Sequence, residues 1–471
     1  MSHDVLDLGL VEVAQLIRKK KLSSLELTKA CLERVEKLQP IINCFIRVEA
    51  EAALKAARRA DAALAKKKPL GPLHGVPLAH KDMLYRVGGH TTCGSKIRKN
   101  YVAQSTSSAL QRLLDAGSIY LGGLNMAEFA IGPTGHNAHH GHCRNPWNPE
   151  HVTGGSSSGS GSAVAARIVF GALGSDTGGS VRLPASMCGV VGMKPTTGLV
   201  SRYGAMPLSF TLDTIGPLTR NVRDNALMLR LIGGPDPLDP TTASGKPANF
   251  EAGLGKGVKG VRIGIPKSYF FDVASPEVRA LYAQSVETLR ELGAHIVEVK
   301  LPDMIRLVQL SNLVLVAEAA TFHAKWLKER PYDYQEQVRH RLEPGLLVPA
   351  VAYLEALNAR ARELEAFCAA ALSKADVLIT PAMPFAVPRV DETDVGGSPE
   401  AADMVARISW CSRVANYLGM PALVVPCGLT SNYMPAGLQL MARPFAEPLL
   451  YRVGAAFEQA IGFDAHRPPI I

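Results

Sequence analysis

Residues 152–195 constrain this chain more than any other stretch. They read V-T-G-G-S-S-S-G-S-G-S-A-V-A-A, pass through a short apolar run, and continue G-S-D-T-G-G-S-V-R-L-P. Two Gly/Ser loops each abut a small-residue or apolar segment. Glycine lets backbone N–H groups turn inward without a Cβ clash, and successive inward N–H groups make an anion-binding concavity. A serine closing such a loop attacks a carbonyl whose oxyanion the neighbouring N–H groups then hold. The pattern points to acyl transfer at a serine. A Walker-type phosphate cradle needs a Gly-Lys-Ser/Thr run, which neither loop carries. Flexible Gly/Ser linkers would not be flanked by apolar segments such as residues 163–170.

Of the 471 residues, 47% are hydrophobic, enough for a substantial core. No linker long enough to split the chain is visible, and α/β domains of this size run as one unit. The net charge is +9, but Lys and Arg are dispersed, with dense runs only at 18–21 and 66–68, each at the polar end of a helical pattern. Aromatics are 6% and no basic stripe interleaves with them, so direct nucleic-acid binding is not expected. The eight cysteines are scattered, without a C-x-x-C pair, which predicts reduced thiols and a cytoplasmic protein. Residues 1–7 lack the apolar segment of a signal peptide, and no run of about eighteen apolar residues predicts a membrane span.

Along the chain, Ser23 and Glu26 form a capping box before Leu27, Ala30, Cys31, Arg34, Val35 and Leu38 at helical spacing, and Pro40 stops the run. An alanine-rich helix follows over about 48–66, so residues 1–68 read as helical scaffold. A rigid turn at 69–75 leads to a buried strand at 76–79, which ends at His80-Lys81-Asp82. A lysine kept there among uncharged groups loses its proton readily and becomes a base. His136, His139, His140, His142 and Cys143 crowd one loop, but their spacing matches no ordinary zinc ligand set, and no metal is expected. Strands are expected at 190–195, 261–266, 293–301, 376–380, 421–426 and 435–441. Helices are expected over about 276–292, most of 304–371, 401–419 and 448–461. The alternation predicts one α/β domain with a mixed, mostly parallel sheet covered by helices on both faces. Its catalytic core would span about 69–233, with a variable, substrate-shaping helical region at about 300–400.

G-V-P-L-A-H-K-D (75–82), G-G-S-S-S-G-S (154–160) and G-S-D-T-G-G-S-V-R-L-P-A (174–185) together resemble the amidase signature family. So do G-M-P-A-L-V-V-P-C-G (419–428) and P-A-G-L-Q-L-M-A (435–442), and the resemblance runs over about 23–458. It implies a single α/β domain and a Ser–cis-Ser–Lys triad that needs no metal or cofactor. Carried onto this sequence, it implies Ser180 as nucleophile, Ser156 as the bridging serine on a cis peptide with Ser157 as its rival, and Lys81 as base. The backbone N–H groups of Thr177, Gly178, Gly179 and Ser180 would hold the oxyanion, with Asp176 and Arg182 supporting the loop.

The family includes free amidases and also the A subunit of the tRNA-dependent amidotransferase, which takes ammonia from glutamine within a complex. The resemblance to that subunit implies an acidic residue in the helix before N-x-x-G-x-P, here residues 416–421. Residues 408–412, Ile-Ser-Trp-Cys-Ser, carry no acid. Arg339 and Arg341 are open as carboxylate ligands or as part of a solvated helix face. The bulky Trp410 suggests a small apolar carboxamide, aryl or alkyl, with carbamates or esters open to the same chemistry. Met126, Gly132 and Trp410 are expected to contact it. The expectation is therefore a stand-alone serine amidohydrolase, a monomer or homodimer, with no cofactor and no nucleic-acid or membrane partner. One alternative is a non-catalytic binding homologue, disfavoured because all three triad positions are filled. The other is the glutamine-hydrolysing A subunit.

Overall fold

Local signals set the first elements. Ser23 Oγ accepts from Glu26 N at 3.1 Å while Glu26 Oε2 accepts from Ser23 N at 2.9 Å, which opens the helix Ser24–Ile42. Asn43 ends it in the left-handed conformation. The computed structural model describes residues 4–66, 70–394 and 399–471. Residues 1–3, 67–69 and 395–398 lie outside these. They carry part of the N-terminal segment, of the second basic run, of the expected rigid turn and of a polar loop.

The strands are β1 (Phe45–Val48), β2 (Pro77–Lys81), β3 (Ile119–Leu124), β4 (Gly171–Asp176), β5 (Val191–Lys194) and β6 (Thr214–Thr219). They continue as β7 (Arg262–Pro266), β8 (His295–Val299), β9 (Val377–Pro381), β10 (Ala422–Leu429) and β11 (Pro435–Met441). Among the described residues they form a three-stranded sheet, β1-β3-β2, and an eight-stranded sheet, β4-β6-β5-β10-β11-β9-β7-β8. β4, β5, β6 and β9 are buried along their whole length, as strands are when helices cover both faces of a sheet.

The large sheet is mixed, as the helix–strand alternation suggests, but antiparallel pairing predominates. Within this sheet, among the described residues, only β7 pairs in parallel, with β8 and β9; the other five pairings are antiparallel. Two strands without a sequence signal account for two of those five pairings. β4 reads Gly-Ala-Leu-Gly-Ser-Asp and β6 contains Gly216-Pro217, both poor in the β-branched and aromatic residues that mark strands.

The helix Met304–Glu329 is long and apolar enough to cross a membrane by length and composition, contrary to the expectation that no segment qualifies. Here it packs on the helices Ala350–Ala371 and Arg413–Tyr417 and carries buried Glu318 and His323. Glu318 accepts from Thr211 Oγ1 at 2.8 Å and Tyr353 Oη at 2.9 Å, and His323 Nδ1 lies 2.8 Å from Tyr334 Oη. These bonds tie the inner side of the helix to the rest of the fold.

Candidate active site

β2 and β4 bring their C-terminal ends side by side, tied where Leu173 N donates to His80 Nδ1 at 3.0 Å. β2 thereby delivers Lys81, and β4 delivers Ser175 and Asp176. Lys81 Nζ donates to Ser156 Oγ at 2.7 Å and to Ser175 Oγ at 2.8 Å. The side chain is 1% exposed. Burial strips water from the ammonium and pushes its pKa down to about 7, more than Asp213 and Asp176 restore from a distance.

The peptide bond Gly155–Ser156 is cis. Gly155 is packed so closely that a Cβ there would stand 2.4 Å from the Gly132 carbonyl oxygen, so only glycine fits. Ser156 and its rival Ser157 face different ways. Ser157 Oγ bonds the backbone of Ser175, donating to its carbonyl and accepting from its N–H, both at 3.2 Å. Ser157 therefore fastens β4, whereas Ser156 meets Lys81. The helix Ser158–Ala165 begins immediately after and is wholly buried.

The loop from Thr177 to Ser180 hangs on Asp176. Asp176 Oδ1 accepts from Gly179 N at 2.8 Å, Oδ2 accepts from Val181 N at 3.1 Å, and both oxygens meet Arg182, from Nη2 at 2.9 Å and Nε at 3.0 Å. Arg182 also donates to Gln439 Oε1 at 2.7 Å and Asn416 Oδ1 at 2.6 Å. Burial alone would raise the Asp176 pKa, but the charge and hydrogen bonds of Arg182 hold it well below the usual carboxylate range. On the far side Thr177 Oγ1 donates to Asp213 Oδ1 at 2.6 Å, and Ser412 Oγ donates to Gly178 O at 2.6 Å. Gly179 has a φ of 125°, and a Cβ there would lie 2.3 Å from Ser412 Oγ. Thr177, Gly178 and Ser180 line a cavity. Gly179, expected as a fourth oxyanion donor, is instead spent on Asp176.

The cavity is closed by Leu208, by Leu315 and Ala319 of the helix Met304–Glu329, and by Arg341, Ser409 and Arg413. Arg413 Nε donates to Ser409 Oγ at 2.8 Å, and its Nη1 donates to Asn312 Oδ1. Both arginines are half-buried. Burial pushes the Arg341 guanidinium down to about 10, with Arg413 adding to the shift, and it lowers Arg413 as well. Among the described residues neither has a carboxylate within ion-pair distance.

Of the expected substrate contacts, Gly132 lines this cavity. Met126 does not; it is fully buried in an apolar cluster behind the wall, with Phe129, Met206 and Leu208. Trp410 does not either. It stacks on Tyr269 at 4.8 Å, and the two exchange hydrogen bonds at 3.1 Å, Trp410 Nε1 to Tyr269 O and Tyr269 Oη to Trp410 O. The physical reason is a break in the helix expected over 401–419. Helices run Pro399–Ile408 and Arg413–Tyr417, and the turn between them sends Ser409 and Arg413 to the cavity and Trp410 away from it.

Arg341, left open between ligand and solvated face, belongs to the cavity. Arg413 and Ser409 were not foreseen; the available signal was one arginine set within the otherwise uncharged residues 408–418. In the histidine-rich loop, His139 Nε2 lies 2.9 Å from Glu128 Oε1 and His136 Nε2 lies 2.8 Å from Thr393 Oγ1. Among the described residues no three His, Cys, Asp or Glu side chains stand together as a metal site.

The Amidase family model matches residues 26–451. The glutamyl-tRNA(Gln) amidotransferase A subunit of Moorella thermoacetica is 39% identical, over 98% of this chain and 98% of that protein. The solved structure of the glutamyl-tRNA(Gln) amidotransferase A subunit of Thermotoga maritima is 32% identical, with a TM-score of 0.81 over 98% of this chain and 96% of that one. A structure described as a vestigial protein complex that reveals the origins of an s-triazine catabolic enzyme is 33% identical, with a TM-score of 0.90 over 97% of this chain and 99% of that one.

These likenesses correct two expectations. A stand-alone hydrolase of apolar carboxamides gives way to the alternative, the A subunit of an amidotransferase. The curated full-length relatives are amidotransferase subunits, and two arginines stand in the cavity's mostly apolar lining. An isolated monomer or homodimer without a nucleic-acid partner gives way for the same reason, since those relatives are subunits of an enzyme named for a tRNA. The chain belongs to the amidase family.

Proposed function

We propose that the chain is the ammonia-releasing subunit of an amidotransferase assembly, the counterpart of the A subunit of a glutamyl-tRNA(Gln) amidotransferase. Its donor is a primary carboxamide whose acyl part carries a carboxylate, with glutamine the first to test. The observation that carries this reading is the cavity that joins Ser180 to Arg341 and Arg413, since guanidinium groups are the preferred partners of carboxylates. The full-length kinship supplies the assembly and the tRNA. We place it in the cytoplasm, where its eight buried thiols stay reduced.

The chemistry runs through Lys81, Ser156 and Ser180. Neutral Lys81 takes the proton of Ser156 as Ser156 takes that of Ser180. Ser180 Oγ bonds to the amide carbon, and the N–H groups of Thr177, Gly178 and Ser180 hold the oxyanion. The C–N bond breaks as the proton returns through Ser156 to the leaving nitrogen, and ammonia departs. Water then attacks the Ser180 ester, with the same groups moving its proton, and frees the carboxylate.

The test is to co-express the chain with the other subunits of such an amidotransferase, then measure co-purification, ammonia release from glutamine and transfer to glutamyl-tRNA(Gln). The reading expects a stable complex whose ammonia release disappears in Ser180→Ala. A chain that joins no complex and frees no ammonia from any carboxylate-bearing amide overturns it.

A further inference from the structure

Among the described residues, the cavity that holds Ser180 carries cations and no anion. Ser409 and Arg413 are four residues apart across the turn between the helices Pro399–Ile408 and Arg413–Tyr417. The partners of Arg413 are both neutral, Ser409 Oγ and Asn312 Oδ1. Arg341 lines the same cavity from the helix Glu336–Leu342. No Asp or Glu among the described residues lines the cavity. The acids nearby are committed elsewhere: Asp176 to Arg182, Asp213 to Thr177 Oγ1 and the amides of Leu208 and Ser209, and Glu318 to Thr211 and Tyr353.

A carboxylate entering this space can take charge-assisted hydrogen bonds from two guanidinium groups. An ammonium group entering it meets two like charges and no counter-charge, and buried like charges repel far more strongly than they do in water. Specificity comes as much from that repulsion as from the attraction.

We infer that the cavity selects primary amides whose acyl part ends in a carboxylate and carries no ammonium group, with Arg413 and Ser409 as specificity-determining residues beside Arg341. This rests on the proposed function and narrows its donor. Glutaramate, which is glutamine without its amino group, is the simplest member of the class.

The experiment measures ammonia release by the full chain, with any subunits that co-purify, from glutaramate, glutamine and uncharged butyramide. Ser180 labelling by a fluorophosphonate is followed in parallel. The expected kcat/KM for glutaramate exceeds that for glutamine by about tenfold and that for butyramide by about 100-fold, as charged hydrogen bonds of ordinary strength require. Arg413→Gln lowers the glutaramate value by about tenfold or more, chiefly through KM, and leaves Ser180 labelling intact. Ser409→Asp, which sets a carboxylate beside Arg413, shifts the glutamine-to-glutaramate ratio toward glutamine. Glutamine preferred by the wild type, with Arg413→Gln unchanged, overturns the inference and leaves the proposed function standing. No ammonia from any of the three, with Ser180 unlabelled, overturns the proposed function and the inference with it.

Discussion

Lys81 and Lys194 close two strands of the same core, β2 and β5. Each is 1% exposed or less, and burial pushes each ammonium down to about 7. Asp176 acts on both from a distance. They differ in what they face. Lys81 Nζ meets the hydroxyls of Ser156 and Ser175, whereas Lys194 Nζ donates to the carbonyl oxygen of Pro195 at 2.8 Å. A hydroxyl has a proton to give and a carbonyl has none. A depressed pKa therefore makes a general base only where a proton source stands in hydrogen-bond reach, and Lys194 reads as a satisfied core group.

Substitution should separate the two lysines most strongly. Lys81→Met should lower kcat by about 10³-fold or more, the scale of losing a general base, while Lys194→Met stays within about threefold of wild type, the change expected of a group outside the reaction. Steady-state ammonia release from the preferred amide measures both. Comparable losses in the two variants would erase the distinction.

Next in size is the loop support. Asp176→Asn leaves Arg182 buried without its counter-charge and should cost about 3–5 kcal/mol of stability, read as a lower urea midpoint. Because Asp176 also fixes Gly179 N, kcat should fall beyond what the unfolded fraction explains. An unchanged midpoint would show that Gln439 and Asn416 alone hold Arg182.

The pH profile sharpens the comparison further. Lys81 must be neutral to act, so kcat/KM should rise as pH passes about 7 and level off above. Lys194→Met should keep the same inflection. An inflection that follows Lys194, or a flat profile from mildly acid to alkaline pH, goes against Lys81 as the base.

The smallest effect is on stability. In the unfolded chain both lysines titrate near 10.5, and in the native chain near 7. Between those values the unfolded state binds more protons, so stability rises with pH. The urea midpoint of Lys194→Met should climb less between pH 7 and pH 9 than that of the wild type, because one of the two groups is gone. An undiminished climb would mean that Lys194 titrates normally.

What the sequence made legible follows the same division. Ser156 and Ser180 lie in Gly-rich loops and Lys81 ends an apolar run, where backbone demands and chemistry leave the same mark. Arg413 and Ser409 carry no such mark, because their role depends on the helix breaking at residues 409–412 rather than running on to Gly419. Trp410 misled for the same reason: a large apolar side chain next to the site is spent on stacking against Tyr269. In the sheet, β4 and β6 went unseen because small residues and a proline stand where strands usually carry β-branched and aromatic ones, and with them went two of the five antiparallel pairings.

Lys81 as the base that activates Ser180 is tested most directly by peptide mass spectrometry after brief exposure to a fluorophosphonate at pH 8. A single adduct on Ser180 is expected in the wild type and in Lys194→Met, with its near loss in Lys81→Met. An adduct on another serine, or equal labelling of Ser180 with and without Lys81, would contradict it.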